Sequence, residues 1–270
     1  LQAAIVVAVI GIAVFAVQNL RYLAWNLRAY AAFRRTEAFG KLAASNGETT
    51  LLAMPLALAM SVNAAFILGL VFVPGLWSII EYLFPLAMIA FAAIGWLAFS
   101  RIGDFLGRVL TKGGIFDMTA NNSFAQLLPA FALAMVGVGF AAPAAMSGQP
   151  VTAGLSLIGS TFFATAALVY TVVAMVLAFN SMLHHGTAKE AGPTLMVVVP
   201  ILTVLGILAL RQSHGLHAVF DAHGTPAETM VFLARLLTVQ VLFLALGLLV
   251  LRRQGYFADY VFGAQTSPGS

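Results

Sequence analysis

Five histidines are the first residues of this 270-residue chain with a clear capacity for chemistry, because imidazole can bind metal ions and transfer protons. His214, His217 and His223 form the pattern H-x2-H-x5-H with Asp221 inside it, which offers ligand types suited to zinc. The other two, at positions 184 and 185, belong to a loop predicted on the opposite side of a membrane. The five therefore cannot converge, and we favour loop histidines at the membrane interface without a metal site.

Arg235 and Glu81 are a second candidate for chemistry, because both are charged residues near or within long apolar segments. Arg235 lies about six residues into its segment, roughly 9 Å below the predicted outer boundary at about 1.5 Å per residue. Glu81 is close to the same boundary, and a charge inside a membrane is usually paired or functional. Two interpretations stay open: a structural ion pair or an arginine that reaches up to the interface, and a cation that binds a solute.

A polar cluster of Asp117, Asn121, Asn122 and Ser123 stands immediately before another apolar segment. Acids, amides and serines are typical of helix starts, so we favour helix capping over the alternative of a polar cytoplasmic vestibule. The chain has no cysteine, which excludes thiol catalysis and thiolate metal sites. We find no nucleophile elbow, phosphate loop or nucleotide-binding motif, so the sequence predicts no enzyme, no catalytic residue and no cofactor.

Composition places these residues in a membrane. Hydrophobic residues make up 61% of the chain and charged residues 8%, and the mean hydropathy is +0.99. Such a chain has too little polar surface for a soluble globule. We therefore predict an all-α integral membrane protein that forms a single transmembrane domain over residues 1–270. About twenty apolar residues are needed for each helical span, which gives seven: 1–19, 51–73, 79–99, 123–146, 154–179, 193–210 and 229–251.

The basic residues indicate how these spans are oriented. All but Arg211 and Arg235 of the 13 Lys and Arg residues fall in loops on one side of the predicted membrane. The positive-inside rule puts that side in the cytoplasm, so spans 2, 4 and 6 run outward. The basic loops fit topology and anionic head groups better than nucleic acid. We predict a multi-pass protein of the cell membrane, plasma or inner, with the lipid bilayer as partner.

Each of the three outward spans carries a proline early in its apolar run: Pro55, Pro129 and Pro200, which are 74 and 71 residues apart. A period of this kind indicates a repeated helical hairpin, and a proline within a helix bends it. Pro268 follows Pro200 by 68 residues, which suggests that a further unit begins there. Bent helices need neighbours or water for their freed carbonyl groups, so we expect these three helices to surround a central pore.

The residues predicted to line that pore are the three prolines together with Ala57, Asn63 and Ala132. Most residues near the prolines are small; the others singled out are Ala59, Ser61, Ala130, Gly137 and Gly139. Small residues suit close packing between helices as well as a pore wall. Composition leaves both interpretations open.

The order of these motifs resembles the tellurite-resistance/dicarboxylate transporter and slow anion channel (TehA/SLAC) family. The motifs run from LLAMPLALAM through GGIFDMTANNSFAQLLPAFA to AGPTLMVVVPILTVLGILAL, and the most specific piece is GGIFD at residues 113–117, followed by Ser123 and Pro129. Pro200 and His184 add support, and the resemblance covers nearly the whole chain. It implies ten helices in five hairpins around a central pore, with one pore in each subunit of a homotrimer.

On that resemblance the seven spans correspond to the second to eighth helices, so the chain is expected to be a fragment. The family's gating phenylalanine belongs to the ninth helix, which would begin near Pro268, so no gate residue is carried over. The resemblance implies a channel or transporter for small anions. The alternative is an intramembrane enzyme, or a redox or sensor subunit, that does not transport.

Overall fold

The structure is a computed structural model that describes residues 2–112, 117 and 122–263. Within these ranges the chain is helical and has no β-strand. The α-helices are α1 Gln2–Phe33, α2 Glu37–Ala43, α3 Ala53–Phe72, α4 Ile80–Lys112, α5 Leu128–Met146, α6 Pro150–His185, α7 Val198–Phe220 and α8 Pro226–Arg253. Residues 113–116, Asn121 and Pro268, on which part of the family resemblance depends, lie outside the described residues.

All of these helices except the short α2 are long and apolar enough to cross a membrane. Each of the seven predicted spans coincides with one of them, so the predicted all-helical class and the predicted membrane-length helices are confirmed. Several helices run beyond the predicted limits: α4 has 33 residues and α6 has 36. At about 1.5 Å per residue these lengths exceed the roughly 30 Å of hydrocarbon, and polar residues of the predicted loops are therefore helical.

Helix α5 is the centre of the bundle. In its span 83% of the residues in the most apolar stretch are buried, against 6% for both α1 and α8. It packs on α3, α4, α6 and α7. The close approach depends on residues without large side chains: a Cβ on Gly139 would lie 2.2 Å from a ring carbon of Phe91, and one on Gly137 would lie 2.7 Å from Leu208. These two glycines therefore serve helix packing, one of the two roles left open by the sequence.

The three repeated prolines lie at the starts of their α-helices. Each proline-bearing span starts as a 3-10 helix, over Asn46–Leu52, Phe124–Leu127 and Lys189–Val197, and becomes α-helical one or two residues before the proline. Pro55, Pro129 and Pro200 thus occupy the first α-helical turn, where a missing N–H is tolerated. The bend predicted at these prolines stays a prediction, and the irregular backbone beside them is the 3-10 stretch at the helix start.

The loops that the sequence assigns to the cytoplasm are joined to one another at a single end of the bundle. The Asn46 side chain donates to the Asp117 carbonyl over 2.7 Å, and the Ala188 N–H donates to the Asn122 carbonyl over 3.2 Å. Glu48, which is 5% exposed, forms an ion pair with Arg108 at the end of α4. We call this end the predicted cytoplasmic end and the other the predicted outer end.

Candidate functional site

A small cavity lies at the predicted outer end, where α3, α4, α5 and α7 meet. Its volume is about 80 Å³. Most of its walls are apolar, but one arginine and one asparagine line it as well. The lining residues are Asn63, Phe66, Ile67, Leu70, Phe84, Ala87, Phe91, Gly139, Ala142, Pro143, Met146 and Arg211.

Arg211 is the cationic residue of this cavity. One of its guanidinium nitrogens donates to the backbone carbonyl of Val138 over 2.7 Å. Val138 lies eight residues before the end of α5 at Met146, which is about 12 Å at about 1.5 Å per residue. The ion pairs of the described residues do not include Arg211. The guanidinium therefore carries its positive charge into the cavity without a carboxylate to neutralise it.

Asn63 contributes the amide group of the cavity. Its side-chain nitrogen donates to the Ala59 carbonyl over 2.9 Å, one turn earlier on α3, and lies 3.8 Å from the Met135 sulfur. The amide is thereby held on the wall of the cavity across from α7. This is the one predicted pore-lining residue that the structure places in the Arg211 cavity.

Helix α5 contains a proline, Pro143, near Arg211 in the cavity lining. Proline has no N–H, so the helix loses one backbone hydrogen bond there. The Ser156 hydroxyl of α6 accepts from the Ala144 N–H over 2.7 Å and donates to the Phe140 carbonyl. A buried hydroxyl thus bridges two backbone groups next to the proline, as is typical of proline sites in membrane helices. The interior proline of the central helix is therefore Pro143, and not Pro129.

Gly215 brings α7 close enough to α5 for Arg211 to reach Val138. A Cβ at Gly215 would lie 2.3 Å from the Ala144 carbonyl oxygen, which is far inside van der Waals contact. Gly215 is one turn beyond Arg211 on the same helix, so the two residues share a face. The glycine contact and the arginine hydrogen bond together hold α7 against the C-terminal half of α5.

Phenylalanine rings fill the bundle below the cavity. The ring centroids of Phe140 and Phe163 are 5.4 Å apart and stacked, and those of Phe91 and Phe140 are 6.2 Å apart. Phe91 is 2% exposed and forms part of the cavity lining. The floor of the Arg211 cavity is thus aromatic and closely packed.

The other predicted pore-lining residues lie elsewhere. Pro55, Pro129 and Ala132 are buried, Ala132 completely, and Pro200 is half-buried. Ala57 lies in a groove between α1 and α3 beside Tyr30 and Met54. Ala132 belongs to the hydrophobic core around α5. The structure therefore does not bring the three prolines and two alanines to one cavity with Asn63.

The predicted pairing of Arg235 with Glu81 is wrong. The two Glu81 oxygens accept from the Ser147 hydroxyl and from the Gly148 N–H, both over 2.7 Å. Arg235 is exposed on α8 and takes part in no ion pair of the described residues. The two charges are predicted at similar depth, but α4 and α8 are not among the helix pairs that pack together.

Ser123 caps a helix start. The Ser123 hydroxyl accepts from the Ala125 N–H over 3.3 Å, which confirms the predicted helix capping at this residue.

The histidines predicted in the outer loop lie partly in a helix. His214 and His217 belong to α7, which continues to Phe220, and a His217 ring nitrogen is 2.8 Å from the Ala222 carbonyl. In the described ranges no three histidine or acidic side chains are grouped as metal ligands would be.

Sequence reasoning missed Arg211 and Pro143 as site residues. The sequence puts Arg211 at the edge of a span ending at residue 210, but α7 continues to Phe220, nine residues beyond Arg211. Pro143 was passed over because it does not share the spacing of the other three prolines. The polar residues 212–214 that follow Arg211 are typical of a loop, so no signal in the sequence placed the arginine at depth. Pro143 could have been found from its position inside the apolar span 123–146.

No protein-family model, no curated protein and no solved structure matches this chain.

Proposed function

We propose that this protein is a membrane channel or transporter for small anions, and that the Arg211 cavity is the outer binding site on the permeation path. The observation that carries the proposal is the Arg211 guanidinium, which lies about 12 Å inside α5, lines a cavity and has no carboxylate partner in the described residues. A charge kept at such depth is costly and is typical of a solute pathway.

The chemistry of the cavity favours anions over cations. One guanidinium nitrogen is engaged with Val138, which leaves the other N–H groups of Arg211 able to donate to a solute. The Asn63 amide lines the same cavity. Positive charge and N–H donors stabilise an anion that has shed part of its water, whereas the described lining contains no Asp or Glu to stabilise a cation.

The size of the cavity favours small monovalent anions such as chloride or nitrate. A volume of about 80 Å³ holds a few water molecules at about 30 Å³ each. A single arginine balances a single negative charge. We therefore propose passage of small monovalent anions, with limited discrimination among them because most of the lining is apolar.

The proposed arrangement of the helices rests on the resemblance to the TehA/SLAC family and on the three helices that start as 3-10 helices. Spans α3, α5 and α7 share a 3-10 start and a proline in the first α-turn, and α5 packs on both of the others. We propose that they are repeats of one hairpin unit and form part of the wall around a central pore. A ten-helix fold and a homotrimer in the cell membrane complete the proposal.

Reconstituted protein tests the proposal. Liposomes loaded with a chloride-quenched dye should report uptake of chloride and nitrate that depends on the protein, while potassium uptake in parallel liposomes stays at the level of empty vesicles. Potassium flux equal to the chloride flux, or no flux of either ion from protein that is folded by circular dichroism, would contradict the proposal.

A further inference from the structure

A second and larger concave region lies on the outside of the bundle, in the groove between α4 and α6. Its volume is about 850 Å³, in the upper part of the range for ligand sites. Helices α4 and α6 barely touch along it, and the floor is made by buried residues such as Leu133 and Ile102. The groove is thus a recess in the bundle surface and not a gap between loose side chains.

The walls of the groove are largely apolar and extend further than the thickness of one membrane leaflet. On α6 they extend from Thr161 to Leu177, a rise of about 24 Å at about 1.5 Å per residue. One leaflet contributes about 15 Å of hydrocarbon. Val169 and Leu110 are 61% and 78% exposed on these walls, so hydrocarbon must cover them in a membrane.

The predicted cytoplasmic end of the groove carries positive charge. On α4 the lining residues Ile102, Phe105 and Val109 follow the spacing of one helix face, and the next residue on that face is Lys112. On α6 the face that contains Leu177 continues two turns later to His184. Lys112 is exposed and forms no ion pair among the described residues. The apolar recess therefore ends at an available cation.

We propose that this groove binds a phospholipid of the cytoplasmic leaflet, with an acyl chain between α4 and α6 and an anionic head group on Lys112. An apolar slot longer than one leaflet has room for the acyl chain, and a lysine at its end without an ion pair among the described residues matches the phosphate. The occupant is a lipid and not a second copy of the chain because charge and apolar surface follow each other along the groove as they do along a lipid.

The lipids that purified protein retains test this site. Delipidated protein is offered equal amounts of phosphatidylglycerol and phosphatidylcholine with the same acyl chains, and bound lipid is counted by native mass spectrometry. Wild type should retain phosphatidylglycerol. Val173→Trp, which fills the groove, should lose most of it. Val172→Trp is the matched control, because Val172 is the equally exposed neighbour that does not line the groove.

The head-group contact has its own variant. Lys112→Gln should lower the preference for phosphatidylglycerol roughly fivefold, the ratio that corresponds to about 1 kcal/mol for one basic residue at a membrane surface. Lys41→Gln, on the exposed helix α2, should leave the preference unchanged. Equal loss of lipid in the two valine variants, or no change of preference in Lys112→Gln, would overturn the proposal.

Photolabelling of the wild-type protein tests the site even if a variant does not fold. Phosphatidylglycerol with a photoreactive acyl chain should label peptides that cover residues 99–110 and 161–177 more strongly than peptides from α8. Uniform labelling of all exposed helices would overturn the proposal. So would an oligomer that is disrupted by Val173→Trp and kept by Val172→Trp, because the groove would then hold a second copy.

Discussion

The Arg211 guanidinium donates to the Val138 carbonyl over 2.7 Å, in the part of α5 that contains Pro143. A proline inside a helix leaves a carbonyl group without its usual N–H partner, and a nearby cation stabilises such groups. The same arginine lines the outer cavity. One side chain thus joins the proline-containing part of the central helix to the site proposed for the anion.

Ser156→Ala should destabilise the protein, because it removes the hydroxyl that bridges the Ala144 N–H and the Phe140 carbonyl. Two buried backbone groups would be left without that partner, at about 1–3 kcal/mol each when nothing replaces it. Denaturation of detergent-solubilised protein measures the loss. Ser100→Ala is the control, since its hydroxyl bonds only to the Trp96 carbonyl of its own helix. Equal stability of the two variants would mean that water replaces the Ser156 bridge.

Gly215→Ala should push α7 away from α5, because the added Cβ would lie 2.3 Å from the Ala144 carbonyl oxygen. We expect a lower melting temperature and weaker anion flux, since Arg211 is one turn away. Gly103→Ala is the matched control: its Cβ would meet no atom within 4 Å, and alanine in a helix is better than glycine by about 1 kcal/mol. A Gly215→Ala variant as stable as Gly103→Ala would contradict the close contact.

A double-mutant cycle separates the two partners considered for Glu81. Glu81→Gln and Ser147→Ala should be strongly non-additive in unfolding free energy, because the hydroxyl donates to the carboxylate over 2.7 Å. Glu81→Gln and Arg235→Gln should be additive, since these residues form no ion pair. Coupling between Glu81 and Arg235 would restore the pairing that the sequence suggested.

Asn63→Cys should be accessible from the predicted outer side. The chain has no native cysteine, so an impermeant thiol reagent would label this position alone. We expect labelling in intact cells, slowed by nitrate because the anion occupies the same cavity. Ala132→Cys, at a fully buried position in the core, should stay unlabelled. Labelling of Asn63→Cys from the cytoplasmic side only would reverse the predicted topology.

The membrane-length helices could be predicted from the sequence because apolar length is a property of each segment alone. The ends of the helices could not. The region around His214 and His217 is polar, and a polar stretch is read as a loop unless its packing is known. In the structure Gly215 packs on Ala144 and keeps this stretch helical. The depth of Arg211 follows from that contact and was not visible in the sequence.

The contacts between side chains of different helices could not be predicted from the sequence either. Glu81 and Arg235 are predicted at similar depth, but depth does not determine which faces of two helices meet. The regular spacing of Pro55, Pro129 and Pro200 did indicate a shared local structure, which is a 3-10 helix start. Pro143, the proline in the interior of α5, has no periodic partner, and the backbone next to it is bridged by Ser156 of a neighbouring helix.

The most direct test of the account is the ion selectivity of Arg211 variants in planar bilayers under a potassium chloride gradient. Wild type and Arg211→Lys should both have reversal potentials close to the equilibrium potential of chloride. Arg211→Gln should lower the chloride-to-potassium permeability ratio roughly tenfold, the ratio for about 1.4 kcal/mol. Arg235→Gln, an exposed arginine outside the cavity, should match wild type. Unchanged selectivity in Arg211→Gln, or a loss confined to Arg235→Gln, would contradict an anion path through the Arg211 cavity.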